Sequence, residues 1–590
     1  MLFNVLRIRI VLFLLYCALL TPLVFYRSFL HPLIVPKVFL FQALVEILFA
    51  LWLPLALTSP RYRPRLNLIS LSLFVFLGAL FISAFTGIDL RRSLWSTGER
   101  SIGLIAFIHF FGFFLVLSLM GNALNWRRYF TFSFAVSVAA AVGAIVQLWI
   151  PQFFLETKVD RPGSFLGNPT FLAAYLLFHI FIGLFLASNV RRAGQRLLFF
   201  LGVLLEVTVV FLTQTRGALL GLSAGLVLLA CIFAIRGGKQ AHRAAISFLL
   251  FIFTAALLFV VTRHLSFWQR VPGLARFATV SSASLDLLPR ILALNISWQS
   301  FLDRPLLGWG WENFKYPFDR HYDPRLLRSG FTETYFDKPH NVLLEYLVTG
   351  GAVGLIAYLG LFAAIFFLLF KKMRERDNSL LVSAAPFLSG AVAAYLVQNI
   401  FVFDTFGSYL MFFIVLAFLS RHAPRLSLRA VSHKMPQKAI QGEKDAFHEP
   451  PQNPFTSPWA QKGFTALFLG IALFMIYRIN YRTLALNNHA YWGLNYFVNR
   501  MPEAGLARYA AALKFPHPYR DEVRRDFISV LSQVYGEGMP IPNVQNVAEK
   551  AMEELVLAIQ NNPYDYYLRL VFADAATVFY ELEPLSLIHI

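Results

Sequence analysis

Charge is scarce in this chain. Of 590 residues only 14% are Asp, Glu, Lys or Arg, while 57% are hydrophobic. With a mean hydropathy of +0.60, there is too little charge to cover a water-soluble surface, and a soluble globular protein is excluded. Cysteine is nearly absent. Cys17 and Cys231 lie in apolar runs without CxxC or Cys/His spacing, so no disulfide framework and no zinc site is expected. The sequence also lacks a Walker A loop, a strand-borne GxGxxG, an HExxH and a clearly spaced carboxylate pair. Chemistry driven by a nucleotide, a metal or another cofactor is therefore not expected, nor is a nucleotide-sugar substrate met in the cytoplasm. GLSAG at Gly221 to Gly225 fits the pattern of a serine nucleophile elbow, but no strand precedes it. With Gly217, its glycines read as small-residue helix packing.

Long apolar runs are what the sequence does contain. Runs able to cross about 30 Å of hydrocarbon as helices lie near residues 8–26, 36–57, 67–86, 101–121, 129–150, 169–189, 197–213, 217–235, 244–262, 350–370, 379–400, 405–420 and 462–479. The expected fold class is an all-α transmembrane bundle of about 13 spans, because unpaired backbone groups are not tolerated in lipid. The first run follows Arg7 and Arg9 and no small-residue cleavage site comes after it, so it reads as a retained helix rather than a signal peptide.

The excess of basic over acidic residues, 52 against 32, would suggest nucleic acid in a soluble chain. Here the basic residues sit in short clusters between spans: Arg61/Arg63/Arg65, Arg127/Arg128, Arg191/Arg192/Arg196, Arg236/Lys239/Arg243, Lys371/Lys372/Arg374/Arg376, and Arg421 to Lys444. Each follows an even-numbered span when the N-terminus is placed in the cytoplasm. This is the positive-inside pattern of a multi-pass inner (cytoplasmic) membrane protein, and it gives membrane lipids, not nucleic acid, as the surroundings.

That topology leaves Pro151 to Asn168, the turn Thr213 to Arg216, the segment Arg263 to His340 and everything beyond about Tyr481 on the outer side. The expected organisation is a membrane core at 1–420 with a periplasmic loop at 263–340, a flexible cytoplasmic linker at 421–461, a last span at 462–479 and a helical region at 480–584. Ala504, Ala511 and Pro516, then Ala551, Ala558 and Pro563, are spaced as in tetratricopeptide-like helix pairs, which offer a surface for a protein partner. The final LSLIHI, 585–590, reads as an adaptor artefact.

Chemistry is sought on the outer side, where positive charge is normally sparse. Arg216 stands at the hairpin between two spans, Arg290 opens an amphipathic stretch, and Arg161 opens RPGSFLGNP. A guanidinium keeps its charge and grips phosphate oxygens in bidentate fashion, so several together suit an anionic diphosphate. The alternatives are a snorkelling rim anchor for Arg216 and pairing with Asp286, Asp303, Asp319 or Glu333. Pairing is preferred for Arg304, and Arg325 and Arg328 read as surface charge. His340, in DKPHNVLLEYLVTGGAVGL, is the best candidate for a general base. Pro339 is expected at a helix N-terminus, whose positive dipole end keeps the imidazole neutral, while Gly350, Gly351 and Gly354 permit close packing. The competing assignment is an interfacial histidine satisfied by water. His109 and His179 read as bundle-facing residues with a hydrogen-bond partner.

Four pieces in order resemble the O-antigen ligase and polymerase superfamily: RPGSFLGNPTFLAAYLL from Arg161, TQTRGALLGLSAG from Thr213, RILALNISWQSFLDRPLLGWGWENF from Arg290 and PHNVLLEYLVTGGAVGL from Pro339. The resemblance implies a GT-C-like bundle and a metal-independent, inverting transferase at the periplasmic face. It implies a donor glycan on undecaprenyl diphosphate and a lipid, glycan or protein acceptor. His340 would activate the acceptor hydroxyl. Arg216 and Arg290, with Arg161 as a weaker carry-over, would bind the diphosphate; Asn341 and Asp404 would support the site. The superfamily also contains chain polymerases and pilin-type protein glycosylation enzymes, and the C-terminal helical region puts a lipid A core acceptor in doubt. A lipid-linked glycan transporter is the alternative of a different class; it needs intramembrane charges, of which Glu46 and Glu206 are the notable ones.

Overall fold

The hydrocarbon interior offers no water to backbone amides, so a spanning chain closes its hydrogen bonds within helices. The computed structural model describes residues 2–120, 123–154, 158–278, 288–328, 334–375, 377–426, 457–541 and 543–580, and among these no β-strand occurs. In the membrane core the helices are α1 (Leu2–Leu20), α2 (Val35–Thr58), α3 (Leu68–Thr86), the short α4 (Leu90–Trp95), α5 (Leu104–Leu119), α6 (Trp126–Trp149), α7 (Pro169–Ser188), α8 (Ala193–Leu212), α9 (Arg216–Arg236) and α10 (Lys239–Thr262). The connection that follows holds α11 (Ser266–Arg270), α12 (Ala275–Ala278), α13 (Leu288–Asp303) and α14 (Lys315–Arg320). The bundle then closes with α15 (Val342–Met373), α16 (Leu380–Asn399) and α17 (Phe406–His422). Last come α18 (Pro458–Met475), α19 (Arg482–Val498), α20 (Pro502–Leu513), α21 (Arg520–Gly536), α22 (Val544–Asn561) and α23 (Tyr566–Phe579).

Among the described residues eleven helices are long and apolar enough to cross a membrane, and two shorter apolar helices, α5 and α17, stand where two further spans are expected. The short α17 is the centre of the bundle, since every residue from Phe406 to Ser420 is buried. At the other extreme α10 buries only Ala245 and presents the rest of its apolar surface outward, as a helix solvated by lipid would. Where α9 meets α16, Gly221 and Gly225 allow the close approach expected of GLSAG. A Cβ on Gly225 would stand 2.4 Å from the carbonyl oxygen of Gly390. Polar side chains inside the spans find local partners. His179 Nε2 lies 2.9 Å from Ser133 Oγ, and Ser137 Oγ donates to Glu206 at 2.5 Å. Glu46 accepts from Asn480 at 3.1 Å and lies 3.1 Å from His109 Nε2, which ties α2 and α5 to the chain beyond α18.

With α5 and α17 counted as spans, the described parts of connections 24–34, 87–103, 150–168, 213–215, 263–341 and 400–405 fall at one rim, beside the C-terminal helices. The basic clusters from Arg61 to Arg374 lie at the other.

Two details go beyond the sequence expectation. The helix that carries the last expected span continues past residue 479: the chain stays helical from Trp459 to Val498 through a π turn at Ile476–Tyr481. The π turn adds a residue without breaking the helix, which lets Asn480 reach Glu46. In the C-terminal region Ala551 and Ala558 are buried, but Ala504 and Ala511 are only partly so. There α20 approaches α19 through Gly505, whose added Cβ would meet Phe497 at 2.7 Å. Residues 427–456, most of the expected linker, together with Arg376, 585–590, Asp286 and Glu333, lie outside the described residues.

The segment before α15 is ordered by a kink within that helix. Gly351 takes φ 64°, and the loop 305–310 hydrogen-bonds across it: Trp309 N to Val348 O at 3.0 Å, Gly310 N to Thr349 O at 2.9 Å, Ala352 N to Pro305 O at 2.8 Å. A Cβ on Gly351 would lie 2.2 Å from the Leu306 carbonyl oxygen, so of the three glycines named above this one carries the packing requirement. Gly351→Ala is predicted to lower thermal stability in detergent by about 1–3 kcal/mol or more, read as a clear drop in Tm; an unchanged Tm contradicts the assigned contact.

Candidate active site

The turn between α8 and α9 exposes the last carbonyls of α8, which lack helical partners. Arginines from elsewhere in the chain supply donors. Arg161 Nε donates to Thr213 O at 2.8 Å and its Nη2 to Thr215 Oγ1 at 3.4 Å, while Arg276 Nη1 donates to Gln214 O at 3.4 Å. Arg216 is the first residue of α9, directly after this turn, and Arg290 stands in the first turn of α13. Burial, followed by the positive charges of Arg276, Arg290 and Arg216, lowers the Arg161 pKa to about 10. Four guanidinium groups from separate segments thus share one neighbourhood at the rim. At Arg161 the three neighbouring positive charges disfavour the charged form, and an anion among them would relieve this.

His340 belongs to the same rim. Its Nδ1–H donates to the Lys338 carbonyl oxygen at 3.1 Å, which leaves Nε2 as the acceptor nitrogen. The ring sits between Phe336 and Phe403, at centroid distances of 5.3 and 5.2 Å, edge to face with both. Burial holds its pKa below the usual histidine value; the carbonyl contact opposes this, and the Arg290 charge reinforces it. Arg290 is therefore close to both Arg161 and His340.

Pro339 and His340 lie just before α15, which begins at Val342, and burial is the largest cause of the lowered pKa. His340 takes φ 52°, a left-handed conformation unusual for a residue with a Cβ, and Asn341 caps the helix by accepting from Leu344 N at 3.1 Å. The cap starts the helix directly after His340, so the imidazole is carried by the last residue before the helical backbone.

A buried ionic frame supports this turn. Lys338 Nζ donates to Glu312 at 2.8 Å and to Glu345 at 2.5 Å, and Ser96 Oγ donates to the second oxygen of Glu312 at 2.8 Å. Burial alone would depress the Lys338 ammonium, but Glu312 and Glu345 outweigh it and hold its pKa above the ordinary value. Arg100 grips Asp337 through two bonds, 2.6 and 2.8 Å, and its guanidinium stacks 4.1 Å over Phe403. Asp337 is held down to about 2: burial raises its pKa, and the adjacent Arg100 more than offsets this.

Asp404, in the connection between α16 and α17, accepts from Tyr395 Oη at 2.7 Å, Ser408 Oγ at 2.9 Å and Asn399 Nδ2 at 3.1 Å. Burial raises its pKa to about 6 against these hydrogen bonds. It lines a cavity of about 450 Å³ together with Lys37, Arg100 and Lys338. Lys37 is buried, and its ammonium donates to the carbonyl oxygens of Pro22, at 3.2 Å, and Phe165.

Arg276, Lys37, Arg100 and Lys338 were not anticipated from sequence. The signal that picks out Arg216 applies to them, since all four are cations at the sparse-charge rim. Arg304 stacks 4.6 Å from the Trp309 ring, and Asp303 lies 2.8 Å from His321 Nε2; Asp286 and Glu333, two of the acids expected to pair with it, lie outside the described residues. Arg325 pairs with Asp323 at 2.6 Å on the surface. Among the described residues no group of three or more His, Cys, Asp or Glu could hold a metal ion.

Residues 197–359 match the family model described as O-antigen ligase. No curated protein matches the chain. The matched segment includes Arg216, Arg276, Arg290, Lys338 and His340, and leaves Arg161, Arg100, Lys37 and Asp404 outside it.

Removing the ammonium from the buried frame leaves two carboxylates without their cation. Lys338→Met is predicted to cost about 3–5 kcal/mol of stability, and Glu312→Gln added to it should recover part of that loss. Equal melting temperatures for wild type and Lys338→Met would contradict the frame.

Proposed function

We propose that this chain, which carries an O-antigen ligase segment at residues 197–359, transfers a glycan from undecaprenyl diphosphate to an acceptor hydroxyl at the periplasmic face of the inner membrane. The observation that carries this reading is the gathering of Arg161, Arg216, Arg276 and Arg290 in one neighbourhood, with Arg290 acting on both Arg161 and His340. A concentration of guanidinium charge with a neutral imidazole beside it suits a reaction in which a diphosphate departs and a hydroxyl loses a proton.

In the proposed step His340 Nε2 accepts the proton of the acceptor hydroxyl, whose oxygen forms a bond to the anomeric carbon of the donor sugar. The bond from that carbon to the phosphate oxygen breaks with inversion, and undecaprenyl diphosphate leaves with the bonding electron pair. Arg216 and Arg290 hold the diphosphate and stabilise the charge growing on it; Arg161 braces the turn that carries Arg216. Asn341 fixes the start of α15, and Asp404 orders the polar wall beside Phe403. Glu46 and Glu206, the intramembrane carboxylates a transporter would use, are engaged in local contacts between helices, which favours the transferase over the transporter.

His340→Ala is expected to lower transfer about 100-fold or more, and Arg216→Ala and Arg290→Ala about 100- to 1,000-fold, with membrane abundance unchanged. Wild-type transfer by the His340 variant removes its assigned role. Deleting the gene separates the two nearest activities: accumulated full-length lipid-linked polymer indicates a ligase, and accumulated single repeat units indicate a polymerase.

The neutral ring is the working form, and burial keeps its pKa below 6.5. Transfer should therefore hold as pH falls from 8 through about 6.5 and decline below that, as the imidazole protonates. Asp404, with its pKa near 6, is the competing source of such a decline, so the limb should persist in Asp404→Asn. A midpoint above pH 7, or loss of the limb in that variant, contradicts the assignment to His340.

A further inference from the structure

A second cavity, of about 690 Å³, lies between α4 and the C-terminal helices α21 to α23, on the same rim as His340. Its charges balance: Arg91, Arg92, Lys315 and Arg525 face Asp89, Asp521, Glu522 and Asp565. Arg91 pairs with Asp521 at 2.7 Å, Lys315 pairs with Asp565, and Asp89 accepts from Tyr316 Oη at 2.6 Å and from Asn562 Nδ2 at 3.1 Å. A cavity so balanced has no excess field for a phosphate or a free carboxylate. It is nonetheless densely polar, and two of its buried atoms, Thr97 Oγ1 and Asp565 Oδ1, have no hydrogen-bond partner among the described residues. A ligand bearing many neutral hydroxyl groups would satisfy both without introducing charge.

The chain beside the cavity has the second ingredient such a ligand needs. Asp565 is flanked by Tyr564, Tyr566 and Tyr567, which are 52%, 54% and 46% exposed. Tyr567, which adjoins the wall without being part of it, lies 5.6 Å from the guanidinium of the cavity-lining Arg525 and stacks with Tyr335 at 6.3 Å, so one of these half-exposed rings is held beside the cavity. An aromatic face with a polar tip suits the apolar C–H face of a sugar ring while its hydroxyl groups turn to the amides and carboxylates.

The cavity is also joined to the imidazole. Arg92, in its wall, donates to the Glu312 carbonyl oxygen at 2.7 Å; the Glu312 carboxylate receives Lys338, whose own carbonyl receives His340. The wall and the His340 turn are therefore parts of one rigid frame.

We propose that this cavity is a saccharide subsite that binds an uncharged stretch of oligosaccharide, with Thr97, Asp565 and Tyr567 as contacts. The proposal rests on the glycan-transfer reading and adds to it a binding site outside the arginine cluster. The probe is the fluorescently labelled oligosaccharide released by mild acid from the lipid-linked glycans of the host membrane. It is titrated against the purified full chain in nanodiscs. Thr97→Val preserves shape and removes only a hydroxyl without a protein partner, and Tyr567→Ala truncates a half-exposed ring, so both variants should fold; equal melting temperatures check this. Each is expected to weaken binding at least 10-fold, while His340→Ala binds as wild type. Affinity unchanged in both cavity variants, or no binding by the wild type, overturns the subsite. Failure of the transferase reading is seen separately, as undiminished transfer by His340→Ala.

Discussion

Backbone amides in hydrocarbon have no partner but the helix they belong to, and this constraint arranges everything else in the molecule. It forces irregular backbone out of the bundle, so the segments that can bend, cap and expose carbonyls collect at the rims. One rim holds the short basic turns. The other holds the turn at Thr213–Arg216, the long connection before α15, the Asp404 connection and the C-terminal helices. A site that needs residues from distant parts of the sequence can assemble only there. The close approaches that let it do so, at Gly225 and Gly351, are places where a side chain would strike a neighbouring carbonyl.

Within that rim two uses of positive charge are distinguished by their partners. Arg100 and Lys338 are neutralised by carboxylates at 2.5 to 2.8 Å and act as frame, fixing Phe403 and the His340 turn. Arg161 and Arg276 are instead held by carbonyl and hydroxyl oxygens, and the charges acting on Arg161 are other arginines. The first arrangement stabilises itself. The second is a field that an anionic ligand would relieve, as the diphosphate of the donor proposed above would do.

Much of this was legible in the sequence for a simple reason: in a membrane protein the positions of apolar runs and of arginines are read against a known background. Arg216 and Arg290 stood out because positive charge is sparse on their side. What stayed hidden depends on long-range pairing. Arg100 meets Asp337 across 237 positions, a separation no local pattern records. Pro339 marked the approach to a helix that begins at Val342, but the left-handed backbone of His340 and the burial that lowers its pKa come from tertiary packing that no local pattern records. Arg304 looked like an ion-pair partner for a nearby acid and stacks on Trp309, which follows five residues later around the 305–310 loop. The helix from Trp459 to Val498 continues past the expected span through a π turn, which the hydropathy pattern does not mark.

The polar cavity at the C-terminal helices gives that region a place in the same machine, since Glu312 and Lys338 tie its wall to the imidazole. The central claim, however, concerns the arginines and His340, and one measurement addresses it most directly. An experimental structure of the His340→Ala chain with its lipid-linked donor trapped should place the diphosphate against Arg216 and Arg290, with the anomeric carbon facing position 340. A diphosphate seated at the opposite rim, among the basic clusters, would contradict the account.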